Sequence, residues 1–278
     1  MIPQAYINEW RTFAPWLSEP QIEQDLVLSR AIVEIFSEPL LANSLAFRGG
    51  TALHKLFIQP AARYSEDIDL VQINTGAIGP VFEALRGRLN PWLGEPKWKL
   101  KEGRATFIYR FDSESIPITP MRLKVEINTR EHFTVLGLVK KIFAVENQWV
   151  SNKAELTTYT LEELLGTKLR ALYQRKKGRD LFDIAMALKQ FPSLEINKVI
   201  QCFDHYMDHA ATKISRAEFE ANLSEKLNDV SFIEDIAPLL RQDTALSYDP
   251  LAEVENVRKK VINFLSIREI REAYCGAV

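Results

Sequence analysis

Cysteine is scarce. Cys202 and Cys275 are the two in 278 residues, too few and too far apart for a disulfide scaffold, so both are expected as free thiols in a reducing compartment. A surplus of one charge sign is also missing. Lys and Arg number 35 against 37 Asp and Glu, a formal net charge of −2. That excludes a protein that coats nucleic acid by bulk attraction, while leaving room for a local basic stripe. No uncharged apolar run approaches the length of a transmembrane helix. The opening MIPQAYINEW has neither the basic nor the apolar stretch of a secretory signal, so the expectation is a cytoplasmic protein with no membrane partner. Internal repeats and low-complexity tracts are absent. With 46% hydrophobic and 26% charged residues, the composition excludes a disordered chain, a collagen-like repeat and a coiled-coil rod.

Histidine is thin as well. Of His54, His132, His205 and His209, the last pair has the i, i+4 spacing of a zinc site, but Asp204 and Asp208 flank it and no third ligand is indicated. It reads as a surface helix. No Ser-His-Asp or Cys-His nucleophile arrangement stands out.

The length exceeds the usual size of a single core, so two lobes are expected. Residues 45–150 carry most of the glycine and several β-rich runs: LAF (45–47), DIDLVQI (67–73), ATFIYRF (105–111) and RLKVEIN (122–128). Residues 20–37, 161–177, 180–191, 195–209, 216–227 and 255–266 have helical periodicity. The predicted architecture is α/β (α+β): a mixed sheet with helices over 1–155, followed by an all-helical lobe over 156–278.

The stretch from Leu45 to Val71 carries the most chemistry. A short buried strand ends at Gly49-Gly50, and Thr51–Phe57 reads as a helix with Leu53, Leu56 and Phe57 inward. A glycine pair at a strand-to-helix turn lets backbone amides approach an anion, and the helix N-terminus adds partial positive charge. In Asp67-Ile68-Asp69-Leu70, strand alternation points both carboxylates to one face and Ile68 and Leu70 into the core. Adjacent carboxylates repel unless a cation sits between them, and hard oxygens suit Mg²⁺. Arg122–Asn128 repeats the alternation. Beside the first strand, Glu126 would supply a third carboxylate for a two-metal phosphoryl or nucleotidyl transfer site; it is equally half of a surface Lys–Glu pattern.

On helix 161–177, Leu161, Leu164, Leu165, Leu169, Leu172 and Tyr173 form the apolar stripe, and Lys168 projects into its middle. A lysine there needs a partner or a polar cleft; pairing with nucleotide phosphates is one task, snorkelling at the lobe's edge another. Arg175 lies near the same azimuth. Gly178 is expected to end this helix and Asp180 to start the next. Asp180 and Asp183 then share a face, as functional carboxylates or as N-cap and dipole partner. The six basic residues among 168–179 are candidates to line a channel for an RNA backbone, or form a solvated helix end whose cations the dipole favours, the reading preferred for Lys176 and Lys177.

Phe47-Arg-Gly-Gly-Thr-Ala-Leu53 followed by Ser65-Glu-Asp-Ile-Asp-Leu70 resembles the signature of the polymerase-β-like nucleotidyltransferase superfamily. The wording is closer still to the AbiEii toxin family of type IV toxin–antitoxin systems, with its MenT-type relatives. That family's later element is matched by Lys168-Leu-Arg-Ala-Leu172, Arg175 and Arg179-Asp-Leu-Phe-Asp183. Where many superfamily members have Asp in the middle motif, this chain has Glu126. The resemblance implies a toxin of an abortive-infection, phage-defence kind that moves NMP from an NTP to an acceptor. The tRNA 3′ end is the expected acceptor, with translation blocked as a result. It implies Mg²⁺ on Asp67, Asp69 and Glu126, and nucleotide contacts from Gly49, Gly50, Thr51, Lys168 and Arg175. Catalytic roles fall on Asp67, Asp69, Lys168 and one of Asp180 and Asp183, with the helical lobe completing the active site. It also implies a cognate AbiEi-like antitoxin. Transfer to a protein or small-molecule hydroxyl, and a nucleotide-binding module without transfer, are the alternatives.

Overall fold

The computed structural model describes residues 2–266; Cys275 lies outside the described residues. The chain divides into two compact units. One runs to Leu164 and also includes Ala237–Tyr248. The other holds Leu165–Ile236 and the chain from Asp249.

The first unit begins with helices α1 (Gln4–Trp10), α2 (Glu19–Phe36) and α3 (Pro39–Ser44). Strand β1 (Leu45–Arg48) runs directly into α4 (Gly49–Leu56), followed by β2 (Asp67–Gln72) and α5 (Gly79–Leu93). Then come β3 (Lys97–Lys101), β4 (Arg104–Asp112), β5 (Pro120–Asn128), β6 (Leu138–Asn147) and β7 (Val150–Tyr159). They form one mixed sheet in the order β3-β4-β5-β2-β1-β7-β6. β2 pairs antiparallel with β1 and parallel with β5.

The period of two sorts each central strand. Phe47, Ile68, Leu70, Leu123, Val125 and Ile127 face the core together with α2, whose residues from Ile22 to Ser29 are all buried. Burying each large side chain contributes about 1.5–3 kcal/mol, so this face sets the register, and Asp67, Asp69, Lys124 and Glu126 are left on the other.

Within the apolar α2, Asp25 is 1% exposed. It accepts from Trp10 Nε1 (2.9 Å), Trp16 Nε1 (3.1 Å) and Lys55 Nζ (2.6 Å). These charge-assisted bonds offset its burial and tie α1, α2 and α4 together, which anchors the helix that follows the glycine turn.

β3, β6, β7 and α5 have no counterpart among the predicted elements. β3 is fully exposed, so KWKLK lacks a core-forming run. β6 and β7 meet at Asn147 and Val150 around the two-residue turn Gln148-Trp149, without the glycine that marks most tight hairpins. Asn147 supplies the turn chemistry instead: its side chain accepts from Trp149 N–H at 2.9 Å.

α6 (Leu161–Gln174) carries the chain into the second unit, which holds α7 (Gly178–Gln190), α8 (Ile196–His209), α9 (Arg216–Leu227) and α10 (Val230–Glu234). α11 (Gln242–Ser247) lies in the segment that belongs to the first unit, where Tyr64 N–H donates to Leu239 O at 2.7 Å. α12 (Pro250–Lys260) belongs to the second. The helix expected over 255–266 therefore starts earlier, behind Asp249, whose side chain accepts from Leu251 and Ala252 N–H. It ends where Val261 leaves helical geometry (φ −128, ψ −60). Gly166 sits where a Cβ would lie 2.6 Å from Cys202 Cβ, so the missing side chain lets α6 approach α8. Cys202 is a buried free thiol. Among the described residues no helix is long and apolar enough to cross a membrane.

Candidate active site

In the first unit the site grows from the β1–α4–β2 connection. Arg48 is in register with Asp69, and the chain turns into α4 at Gly49 with φ +83. A Cβ on Gly49 would lie 2.2 Å from Asp69 Oδ2. Glycine is required twice here, by the left-handed backbone and by the carboxylate lying against it. Gly50 and Thr51 are buried in the first turn of α4. The Thr51 hydroxyl donates to Asp67 O and lies 2.7 Å from Ser65 Oγ, so Thr51 ties the helix start to the start of β2. Gly49→Ala is expected to cost about 1–2 kcal/mol from the backbone alone and to push Asp69 from its place. Thermal unfolding and nucleotide binding should both be impaired; an unchanged Tm with unchanged binding would refute the close approach.

Asp67 and Asp69 share one face of β2, and β5 places Lys124 opposite Asp67 and Glu126 opposite Asp69. Lys124 Nζ lies 2.8 Å from Asp67 Oδ2 and 3.5 Å from Glu126 Oε2. Arg104 Nε reaches Glu126 Oε1 at 3.2 Å. Partial burial would lower the Lys124 pKa, but Asp67, Glu126 and Asp69 more than offset it and hold the ammonium above the usual lysine value. The strand carboxylates thus keep a cation between them, as their mutual repulsion requires.

The donor set suits a hard cation such as Mg²⁺, which needs one or two carboxylates with the rest supplied by phosphates and water. A self-sufficient cage is another matter: among the described residues no group of three or more His, Cys, Asp or Glu is gathered so as to hold a metal ion. Asp67 and Asp69 fit the former requirement. Glu126 lies beside Asp69 but is held by Lys124 and Arg104.

In the second unit Lys168 is 6% exposed, and Asp180 and Asp183 are both fully buried. Lys168 Nζ lies 3.1 Å from Asp180 Oδ1 and 2.7 Å from Asp183 Oδ2. Arg175 grips Asp180 with two nitrogens, Nε to Oδ2 at 2.6 Å and Nη2 to Oδ1 at 2.8 Å. Burial raises the Asp180 pKa, but Lys168 and Arg175 outweigh it and leave the carboxyl below its ordinary value. Four expected residues are thereby one network. Arg175, its side chain 53% exposed, is the member that reaches solvent.

The N-cap of α7 is Lys177, not Asp180. Gly178 opens this helix rather than ending the previous one, which stops at Gln174; a Cβ there would lie 2.1 Å from Phe232 O, so the missing side chain admits the backbone of α10. The basic run is largely neutralised within its own unit. Lys176 lies 3.6 Å from both Glu225 and Asp229, Lys177 3.0 Å and Arg179 2.9 Å from Asp235, and Arg170 packs over the Tyr206 ring. His205 and His209 are exposed on α8.

Sequence reasoning missed several supports. Glu163, fully buried, accepts from Thr134 Oγ1, Val135 N–H and Leu136 N–H. Arg48 pairs with Glu131. Lys226 donates to Leu172 O and Tyr173 O at the end of α6, and burial pushes its pKa down to about 8. A buried cation at a helix C-terminus satisfies carbonyls that lack partners, but nothing in ANLSEKL marks this lysine out.

Asp235 is the remaining one. Burial raises its pKa, yet Arg179 and Lys177 bring it down to about 2. Below about pH 4 the unfolded chain takes up a proton that the folded state refuses. The contribution of this pair to stability is therefore complete above pH 4 and lost as pH falls through about 2. The urea midpoint of the wild type should drop more steeply than that of Asp235→Asn between pH 4 and 2; parallel curves would refute this.

With a Gly-turn helix and a two-aspartate strand on a β5-β2-β1 core, the chain has a nucleotidyltransferase fold. MenT4, a nucleotidyltransferase toxin from Mycobacterium tuberculosis, superposes with a TM-score of 0.58 at 16% identity, covering 95% of this chain and 98% of its own. JHP933 from Helicobacter pylori gives 0.53 at 20% identity, covering 89% and 95%. At such identities the likeness is one of fold. No curated protein matches the chain. Residues 30–259 match the model for the nucleotidyl transferase AbiEii toxin of type IV toxin–antitoxin systems, and the chain belongs to that family.

Proposed function

We propose that the protein transfers NMP from an NTP to an RNA acceptor, the tRNA 3′ end foremost, and blocks translation as the toxin partnered by an AbiEi-like antitoxin. The observation that carries this reading is the pair Asp67 and Asp69 on one face of β2, with Asp69 against Gly49 and in register with Glu126. The turn Gly49–Thr51 receives the triphosphate through backbone amides at the start of α4, where the helix dipole favours an anion. Asp67 and Asp69, with Glu126 beside them, would hold Mg²⁺, which supplies neutralisation of the phosphate charge. An acceptor hydroxyl gives up its proton to solvent and forms a bond to the α-phosphorus, the bond from that phosphorus to the oxygen bridging to the β-phosphate breaks, and pyrophosphate leaves with that electron pair. The protein's share is placement of the reacting groups and a field ready before the reaction begins.

Lys168 and Arg175 are assigned to nucleotide contact on the family's motif; within the second unit Asp180 lies against both cations and Asp183 against Lys168. The test incubates the protein with bulk tRNA and each α-labelled NTP in turn. Label in RNA supports the reading. Label in no RNA fraction, with NTP binding intact, overturns it, and label in protein or small molecules identifies a different acceptor.

A further inference from the structure

The sheet face that bears the carboxylates does not stop at β5. In paired strands, residues directly opposite one another share a face. One row across the sheet runs Asp67, Lys124, Ile108, Lys97, and the next runs Asp69, Glu126, Thr106, Lys99. Beyond these, Arg122 stands opposite Arg110 on one side and Arg104 opposite Lys101 on the other. The face of β3, β4 and β5 thus gathers seven cations against Glu126 and Asp112. All of the cations but half-buried Lys124 are exposed.

Pairing separates this strip from the other basic run of the chain. Among the described residues Lys97, Lys99, Lys101, Arg110 and Arg122 make no ion pair, whereas Lys168, Arg175, Lys176, Lys177 and Arg179 are all matched by carboxylates of their own unit. β3 is a sheet edge, and its three lysines alternate with Trp98 and Leu100, which point to the opposite face; there Trp98 meets Phe82 at 6.2 Å. Alternate residues on a strand are about 7 Å apart, close to the separation of successive phosphates in an extended polynucleotide. From Asp69 to the edge lysines is three strand spacings, about 14 Å.

We infer that the β3–β4–β5 face is the docking surface for an RNA phosphate backbone, leading from the Lys97–Lys101 edge to the Asp67/Asp69 strand. The inference takes RNA as the ligand from the proposed function and moves its binding surface from the helical run at 168–179 to the sheet. Unpaired cations release counterions from a polyanion without first breaking protein ion pairs; paired ones do not.

The test is fluorescence anisotropy with labelled bulk tRNA across a salt series, without NTP, on the wild type, on Lys97→Ala/Lys99→Ala/Lys101→Ala and on Lys176→Ala/Lys177→Ala. The edge variant should lose about tenfold or more in affinity, and its slope of log K against log salt should shrink by about 2, three contacts at roughly 0.7 each. The helical variant should match the wild type. The edge lysines hold no ion pair among the described residues, so Tm and NTP binding should stay unchanged and report an intact fold. Unchanged affinity and slope in the edge variant overturn the inference and leave the strip to an acidic protein partner. A shrunken slope in the helical variant alone also overturns it. The two readings fail separately. RNA bound through the strip with no label transferred sinks the transfer reading alone. RNA labelled equally by wild type and edge variant, with unchanged slope, sinks the strip alone.

Discussion

Asp69→Asn should abolish transfer of label, by roughly 10³-fold or more, without lowering Tm. Removing one fixed charge-stabilising group from an active site costs about 10²–10³-fold, and a carboxylate expected both to hold a cation and to lie against the phosphate-binding turn should sit at or beyond the upper end. The fold should not suffer. Asp69 is partly exposed on β2, beside Asp67 and opposite Glu126; neutralising it relieves repulsion from those two carboxylates and weakens the attraction of Lys124, opposed effects that solvent partly screens. The side chain keeps its shape, so its packing against Gly49 survives. Asp67→Asn should lose activity similarly and also its 2.8 Å pair with Lys124; that partly exposed pair is worth at most about 1 kcal/mol. Transfer rates within a few-fold of wild type for both variants would remove Asp67 and Asp69 from the chemistry.

Lys168→Met should destabilise the second unit by about 3–5 kcal/mol, because it strands two buried carboxylates that lose their shared ammonium. The second unit holds about a hundred residues, and at about 4–8 °C per kcal/mol for a domain of that size Tm should fall by roughly 10 °C or more. Lys168→Met/Asp183→Asn separates charge from shape. With one of the two carboxylates neutralised and Arg175 still on Asp180, a large part of the lost stability should return. If Lys168→Met leaves Tm unchanged and alters only the KM for NTP, the lysine's bonds to Asp180 and Asp183 carry no structural weight. If Tm falls and the double variant restores it without restoring transfer, Lys168 serves both the fold and the nucleotide.

Much of the sheet and most of the long helices were legible from periodicity. β1, β2, β4, β5 and α6 to α9 all carry apolar residues at the spacing of their own element. The elements without that signal stayed hidden. β3 has no buried residue, the β6–β7 hairpin turns on an asparagine rather than a glycine, and the α12 start depends on Asp249 and Pro250 rather than on its apolar stripe. The misfit of Lys168 in an apolar stripe was also legible, and so was its need for a partner. Its partners were not, since a charge in a stripe points equally to a cleft or to a buried counter-ion.

By itself, then, the sequence determined which side chains leave the core. The alternation in Asp67-Ile-Asp-Leu70 and Lys124-Val-Glu-Ile127 has a period of two, and a slip of one residue would bury the carboxylates. It likewise required glycine at the end of β1. Tertiary structure alone decided which strands are neighbours, and so that Glu126 stands beside Asp69 and that Lys124 lies between the carboxylates. It also decided which cations are neutralised: Lys168, Arg175, Lys176, Lys177 and Arg179 meet Asp180, Asp183, Asp229 and Asp235, while those on β3 meet no carboxylate among the described residues. Counting charges along a chain cannot show this, because ion pairing depends on distances of a few ångströms between residues that the fold, not the sequence order, brings together.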